Sequence, residues 1–228
     1  MPDNAIASHE TLTGDLANFL NKVKVEHALT PLGRLIFALD ATMSRQPSWD
    51  LAATLTAGMF REAGGLDLQL AYFRGEKECR ASSWASDADR LVKMMAKIGC
   101  EAGGTQLERL LVHAQKETAK LQVNALVFIG DAMKENPDAL VGKARELGKL
   151  GVRVFTFQEG SDPGVQRTFQ DIAAATSGAF AKFDSGATRQ LGELLRAVGR
   201  YVTGGIGALE KRGDAASTLL LGQLKGGA

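Results

Sequence analysis

Short apolar runs alternate with amphipathic stretches along most of this chain. Two of the runs, 34–39 and 125–129, are apolar almost throughout, which is typical of strands buried on both faces. Strands are predicted at 34–39, 67–73, 76–84, 125–129, 152–157 and 179–183. The stretch 76–84 is polar, so we expect it to be a short strand at an edge of the sheet.

The amphipathic stretches predict helices that flank this sheet. Capping residues mark several of their boundaries, such as Ser48 before one stretch and Pro137 in the first turn of another. Helices are predicted at 49–63, 87–98, 106–120, 137–150, 162–175 and 187–201. Strands and helices that alternate through tight glycine turns favour an α/β fold with a doubly wound, mostly parallel, Rossmann-like sheet.

Three segments organise the chain. Residues 1–30 form an N-terminal extension with a short predicted amphipathic helix at 12–25, and residues 31–203 form the α/β domain. Residues 204–228 are rich in glycine, alanine and leucine, which predicts a flexible or weakly helical tail. The leucine cluster 218–221 is the part of the tail that could dock on the domain.

Composition and charge narrow the classes of function. The chain has 228 residues, with 27 Lys and Arg against 26 Asp and Glu, so nothing favours nucleic acid or an anionic membrane as the main partner. No apolar run approaches the ~20 residues of a membrane helix, and the N-terminus lacks the pattern of a signal peptide. Only Cys79 and Cys100 occur, which fits a reducing, cytoplasmic location. The three histidines have no metal-binding spacing.

Small oxygen-bearing side chains follow the predicted strands in three places. Asp40, Thr42 and Ser44 come directly after the first strand, Thr105 follows two glycines, and Asp131 follows the strand 125–129. Ligands of doubly wound sheets bind at the carboxyl ends of the strands. Carboxylate and hydroxyl oxygens at such an edge suit a small hard cation, which also tolerates bound water. Taken singly, each residue is equally well explained as an ordinary turn acid or loop hydroxyl.

At these positions the chain resembles a von Willebrand factor A (vWA) domain with a metal-ion-dependent adhesion site (MIDAS). The pattern of that family is Asp-x-Ser-x-Ser, then a later Thr and a later Asp. In this chain it reads Asp40-Ala41-Thr42-Met43-Ser44, Gly103-Gly104-Thr105 and Ile129-Gly130-Asp131. The resemblance covers roughly residues 34–201 and includes the order of the elements.

The resemblance implies a binding module that holds Mg²⁺, or Mn²⁺ or Ca²⁺, and uses it to bind a protein. The neutral hydroxyls of Thr42, Ser44 and Thr105 would contact the ion, and Asp40 and Asp131 would act directly or through water. One coordination position would stay open for an acidic side chain of the partner. The close approach of the second loop to the ion would be permitted by its two glycines.

The chain departs from the family pattern without losing an oxygen ligand. Thr42 replaces the first serine, and Ala41, Met43 and Ala132 stand where glycine is common. Met43 would place a soft apolar contact beside the ion. The predicted partner-binding rim consists of Met43, Arg45, Gly104 and Ala132.

Two other functions remain open at this point. One is a metal-free scaffold that keeps the vWA fold. The other is a magnesium-dependent phosphate-handling enzyme of the haloacid dehalogenase type, which needs a second acid two residues after the first, where this chain has Thr42. No nucleophile elbow, Walker lysine loop or dinucleotide fingerprint follows a strand, so we expect no catalytic activity.

Overall fold

A computed structural model describes residues 33–43, 55, 58, 64–184 and 187–226, and they lie in a compact unit that spans Leu32–Ala228. The predicted extension 1–30, Ser44 and Arg45 lie outside the described residues. So does most of the predicted helix 49–63, of which Leu55 and Gly58 are described and helical.

A six-stranded sheet forms the centre of the fold, as the sequence predicted. Its strands are β1 Gly33–Asp40, β2 Leu66–Arg74, β3 Glu78–Ala81, β4 Ala125–Gly130, β5 Arg153–Glu159 and β6 Ala179–Phe183. They lie in the order β3-β2-β1-β4-β5-β6, and every pair is parallel except β2 with β3. The edge strand β3 is shorter than the predicted 76–84, because residues 75–77 form the turn that leads into it.

Six helices are described in full. They are α1 Ala88–Met95, α2 Leu107–Lys120, α3 Pro137–Lys149, α4 Pro163–Ala175, α5 Thr188–Arg212 and α6 Ala215–Gly226. Side-chain caps fix the starts of two helices: the carboxylate of Asp162 accepts hydrogen bonds from the first turn of α4, and the amide oxygen of Asn136 does so for α3. None of the described helices is both long and apolar enough to cross a membrane.

The core has two layers because β1 is buried on both faces. Leu35, Phe37 and Leu39 point to one side, where α1, α5 and α6 pack. Ile36 and Ala38 point to the other side, where α2, α3 and α4 pack. A central strand enclosed in this way meets polar groups chiefly at its ends, and the candidate ligands follow its carboxyl end.

The C-terminal segment differs from its prediction. The last predicted helix does not end at residue 201 but continues as α5 to Arg212, with a kink at Gly205, where φ is +66°. The predicted tail then forms α6, and its leucine cluster docks on the domain as the sequence suggested, with Leu220 and Leu224 buried. Glycines at 204, 205 and 207 lower the intrinsic helix propensity of α5, but the burial of Val202 and Leu209 in the same helix overrides that preference.

Helix α6 also covers the outer edge of β6. The side-chain amide of Gln223 accepts a hydrogen bond from Phe180 N at 2.8 Å and donates one to Phe180 O at 2.8 Å. The amide therefore satisfies the backbone groups that a neighbouring strand would use.

A buried charged cluster closes the opposite end of β1. The guanidinium of Arg34 lies 3.7 Å from the ring centre of Trp84 and 3.9 Å from carboxylate oxygens of both Asp67 and Glu117. Burial raises the pKa of Glu117, but hydrogen bonds from Lys120 and Trp84 outweigh it and hold the pKa below its ordinary value. Trp84 is thus a packing residue.

Candidate functional site

A cavity of about 290 Å³ opens at the carboxyl ends of β1 and β4. Its lining includes Asp40, Thr42, Thr105 and Asp131, four of the predicted oxygen ligands. The loops meet here because β1 and β4 are parallel neighbours in the sheet. Ser44, the fifth predicted ligand, lies outside the described residues.

Asp40 is the last residue of β1 and forms the floor of the site, with only 2% of its surface exposed. Its Oδ1 atom accepts a hydrogen bond from Thr42 N at 2.8 Å, which turns the chain immediately after the strand. The turn places Thr42 in the cavity lining next to the buried carboxylate.

Backbone hydrogen bonds hold the loop 99–106 against the turn after β1 and against the β2–β3 turn. Glu101 N donates to Ala41 O at 3.0 Å, and Gly75 N donates to Glu101 O at 3.4 Å. A Cβ atom at Gly103 would lie 2.0 Å from Gly75 O, so Gly103 is required by the β2–β3 turn. A Cβ atom at Gly104 would have no described heavy atom within 4 Å. The sequence predicted that both glycines would allow a close approach to the ion. In the structure Gly103 alone of the two makes a close approach, and it does so to the β2–β3 turn.

The hydroxyl of Thr105 is held by a residue that the sequence analysis missed. Thr105 Oγ1 donates a hydrogen bond to Glu135 Oε2 at 2.5 Å and accepts one from Lys134 N at 2.8 Å. The other oxygen of Glu135 accepts a hydrogen bond from Leu107 N in the first turn of α2. Glu135 therefore joins the second loop to the third and caps a helix to which it is not adjacent in sequence.

These bonds define what the site offers to a cation. A hydroxyl has one proton and two lone pairs, so Thr105 keeps one lone pair after its bonds to Glu135 and Lys134. Asp40 and Asp131 supply the carboxylates of the lining. Within the described ranges there is no group of three or more His, Cys, Asp or Glu side chains that could hold a metal. A cation here would therefore depend on hydroxyl and water oxygens as well as on the two acids, a donor set that suits Mg²⁺.

Two of the three described residues of the predicted partner-binding rim line the cavity. Met43 lines the cavity with 62% of its surface exposed, and Ala132 lines it as well. Gly104 does not line the cavity, and Arg45 lies outside the described residues. Lys134, exposed and part of the lining, was not predicted. A lysine within three residues of Asp131 was visible in the sequence, but nothing there indicated that it would lie at the cavity.

Comparisons with known proteins give the fold. No protein-family model and no curated protein matches the chain. Among solved structures, an aerotolerance-related membrane protein from Bacteroides fragilis aligns with a TM-score of 0.58 and 17% identity, over 72% of this chain and 96% of that one. BatB from Bacteroides thetaiotaomicron aligns with a TM-score of 0.57 and 16% identity, over 71% and 96%.

A third similar structure is the VWA domain of SpRpn10. It aligns with a TM-score of 0.59 and 13% identity, over 75% of this chain and 97% of that one. The six-stranded sheet, with its antiparallel edge strand and flanking helices, is thus the fold of vWA domains. At these identities the likeness is one of fold.

Proposed function

We propose that this chain is a divalent-cation-dependent protein-binding module. Mg²⁺, or Mn²⁺ or Ca²⁺ in its place, would be held by Asp40, Thr42, Ser44, Thr105 and Asp131. The observation that carries the proposal is the convergence of Asp40, Thr42, Thr105 and Asp131 on one cavity, from three separate loops. The vWA fold supports it, since the resemblance of the three ligand-bearing segments to a vWA domain with a MIDAS implies such a binding module.

The donor set explains how such an ion would recognise a protein. Two carboxylates and several neutral oxygens would leave a coordination position of the hard cation open, and a carboxylate from outside would complete its coordination. The exposed side chain of Met43 beside the cavity would add an apolar contact for the residue next to that carboxylate. We therefore propose a partner protein that presents an acidic residue, and no catalytic activity.

One observation favours a metal-free scaffold as the second candidate. The hydroxyl of Thr105 is already hydrogen-bonded to Glu135, and Lys134 brings a positive charge to the same lining. If the carboxylate of Glu135 competes with an ion for Thr105, both features reduce the affinity of the cavity for a cation. In this alternative the two loops would be held together by Glu135 and by the hydrogen bond from Lys134 N to Thr105, and the cavity would bind no ion.

Titration of the full chain with Mg²⁺ and Mn²⁺ separates the two candidates. The measurements are the heat of binding and the free energy of unfolding, for the wild type, for Asp40→Asn and for the control Asp171→Asn on the exposed face of α4. At a free ion concentration of 100 times Kd we expect the wild type and the control to gain about 2.7 kcal/mol. Asp40→Asn should fold and gain nothing.

The outcome against the proposal is equally clear. If the wild type shows neither heat nor stabilisation at millimolar Mg²⁺ and Mn²⁺, the metal-free scaffold is correct. Once binding is established, a pull-down with and without chelator identifies the protein that leaves when the ion is removed. A partner that stays bound in chelator would contradict the cation-dependent role.

A further inference from the structure

A larger cavity lies on another part of the molecule, between the edge strand β3 and helix α2. It has a volume of about 450 Å³ and is lined by residues 79–81 of the strand and by the helix residues Glu108, Arg109, His113 and Lys116, among others. We call it the β3–α2 groove. None of the four predicted metal ligands that the structure describes, Asp40, Thr42, Thr105 and Asp131, lines it.

The strand wall of this groove is an open edge of the sheet. Within the described residues β3 pairs with β2 alone, whereas the opposite edge strand, β6, is covered by Gln223. Backbone groups in an antiparallel pair point alternately towards and away from the partner strand. Ser82 N donates to Leu70 O, so the N–H and C=O groups of Cys79 and Ala81 point away from β2.

The helix wall of the groove carries more positive than negative charge. Arg109 and Lys116 are exposed, and Glu108 is the acidic residue beside them. Burial lowers the pKa of His113, so its imidazole is neutral near pH 7. The Nε2 atom of this ring lies 2.7 Å from Gln69 Oε1. Arg109 Nη1 donates to Lys77 O at 2.6 Å, which fixes this cation beside the start of β3.

The thiol of Cys79 adds no reactive chemistry. Burial raises the pKa of Cys79, which keeps the sulfur protonated and poorly nucleophilic. The groove therefore presents backbone donors and acceptors on one wall and cations on the other.

We propose that the β3–α2 groove binds an extended, acidic segment of a partner protein, which adds to the sheet as a further strand beside β3. The backbone groups of Cys79 and Ala81 hydrogen-bond to the segment, and its acidic side chains lie against Arg109 and Lys116. Strand addition gives affinity through the main chain and selects side chains at alternate positions. This site is independent of the proposed cation site.

The test selects peptides from a phage-displayed library of random octapeptides on the full chain, in the presence of chelator. We expect the enriched peptides to be acidic. Their affinities, measured by fluorescence polarisation, should fall at least ten-fold in Lys116→Glu and stay within two-fold in Lys149→Glu, an exposed lysine of α3. Ala81→Pro removes an outward N–H group and should also weaken binding at least ten-fold, whereas Ala81→Val should not.

Amide hydrogen exchange provides the measurement that does not depend on a variant. A bound peptide should slow exchange at Cys79 and Ala81, and this result decides the case if Ala81→Pro does not fold. The proposal is wrong if no acidic peptide is enriched, if Lys116→Glu binds as the wild type does, or if neither amide is protected. Peptides that bind only with Mg²⁺ present, and not to Asp40→Asn, would belong to the cation site. Such peptides would also contradict the proposal for the β3–α2 groove.

Discussion

Replacement of Glu135 by alanine is the sharpest test of how the loops at the candidate site are held. The carboxylate of Glu135 accepts hydrogen bonds from the hydroxyl of Thr105 and from Leu107 N. A hydrogen bond to a charged group contributes about 1.5–3 kcal/mol, and an anion at a helix N-terminus about 0.3–1 kcal/mol. The two contributions do not simply add, because one half-buried carboxylate accepts both bonds and is partly screened by solvent. We therefore expect the free energy of unfolding of Glu135→Ala to be lower than that of the wild type by about 2–3 kcal/mol.

Urea unfolding followed by circular dichroism measures this loss as a shift of the midpoint at unchanged slope. Glu135→Gln keeps an acceptor oxygen and loses the charge, so we expect it to lose about half as much. The control is Glu76→Ala, an exposed acid in the β2–β3 turn, which should stay within about 0.5 kcal/mol of the wild type. If Glu135→Ala also stays within that range, the carboxylate does not hold the loops.

The same variant bears on the proposed cation site. Glu135 accepts the hydrogen bond of the Thr105 hydroxyl, which points a lone pair of that oxygen away from the carboxylate and makes it available to an ion. We therefore expect Glu135→Ala to weaken Mg²⁺ binding by about ten-fold, because residues that orient a metal ligand typically contribute that much. Tighter binding in Glu135→Ala would show instead that the carboxylate competes with the ion for Thr105.

Two further predictions concern other parts of the structure. The pKa of Glu117 in the folded protein lies below its ordinary 4.5, so its contribution is present above pH 4.5 and is lost as the pH falls through the folded-state value. The free energy of unfolding of Glu117→Gln should therefore fall less steeply than that of the wild type below pH 4.5. Gly103→Ala forces its Cβ atom against Gly75 O and should destabilise by about 1–3 kcal/mol, whereas Gly104→Ala should not. Equal midpoints in urea for the two alanine variants would contradict the assignment of the close approach to Gly103.

Much of the fold could be predicted from local pattern alone. The strand at 125–129 and helix α4 were found within two residues of their observed ends, because an apolar run and an Asp-Pro cap determine them locally. The convergence of Asp40 with Asp131 could also be predicted, since parallel neighbouring strands end at the same edge of a sheet.

The features that escaped prediction depend on contacts between distant residues. Glu135 and Thr105 are 30 residues apart, and no local pattern in either segment indicates the hydrogen bond. The close approach of Gly103 is to a turn that precedes it by 28 residues. Helix α6 was predicted only as a flexible or weakly helical tail, because its stability comes from burying Leu220, which only the folded core provides.

The amide of Gln223 also limits how this protein can associate with itself. The outer edge of β6 already has hydrogen-bonding partners at Phe180, so an incoming strand from another copy would have to displace them. Two copies that joined through β3 would form a twelve-stranded sheet with a glutamine-blocked β6 at each extremity. Such an association would stop at a pair, because neither blocked β6 edge would offer free backbone groups at Phe180 to a further strand.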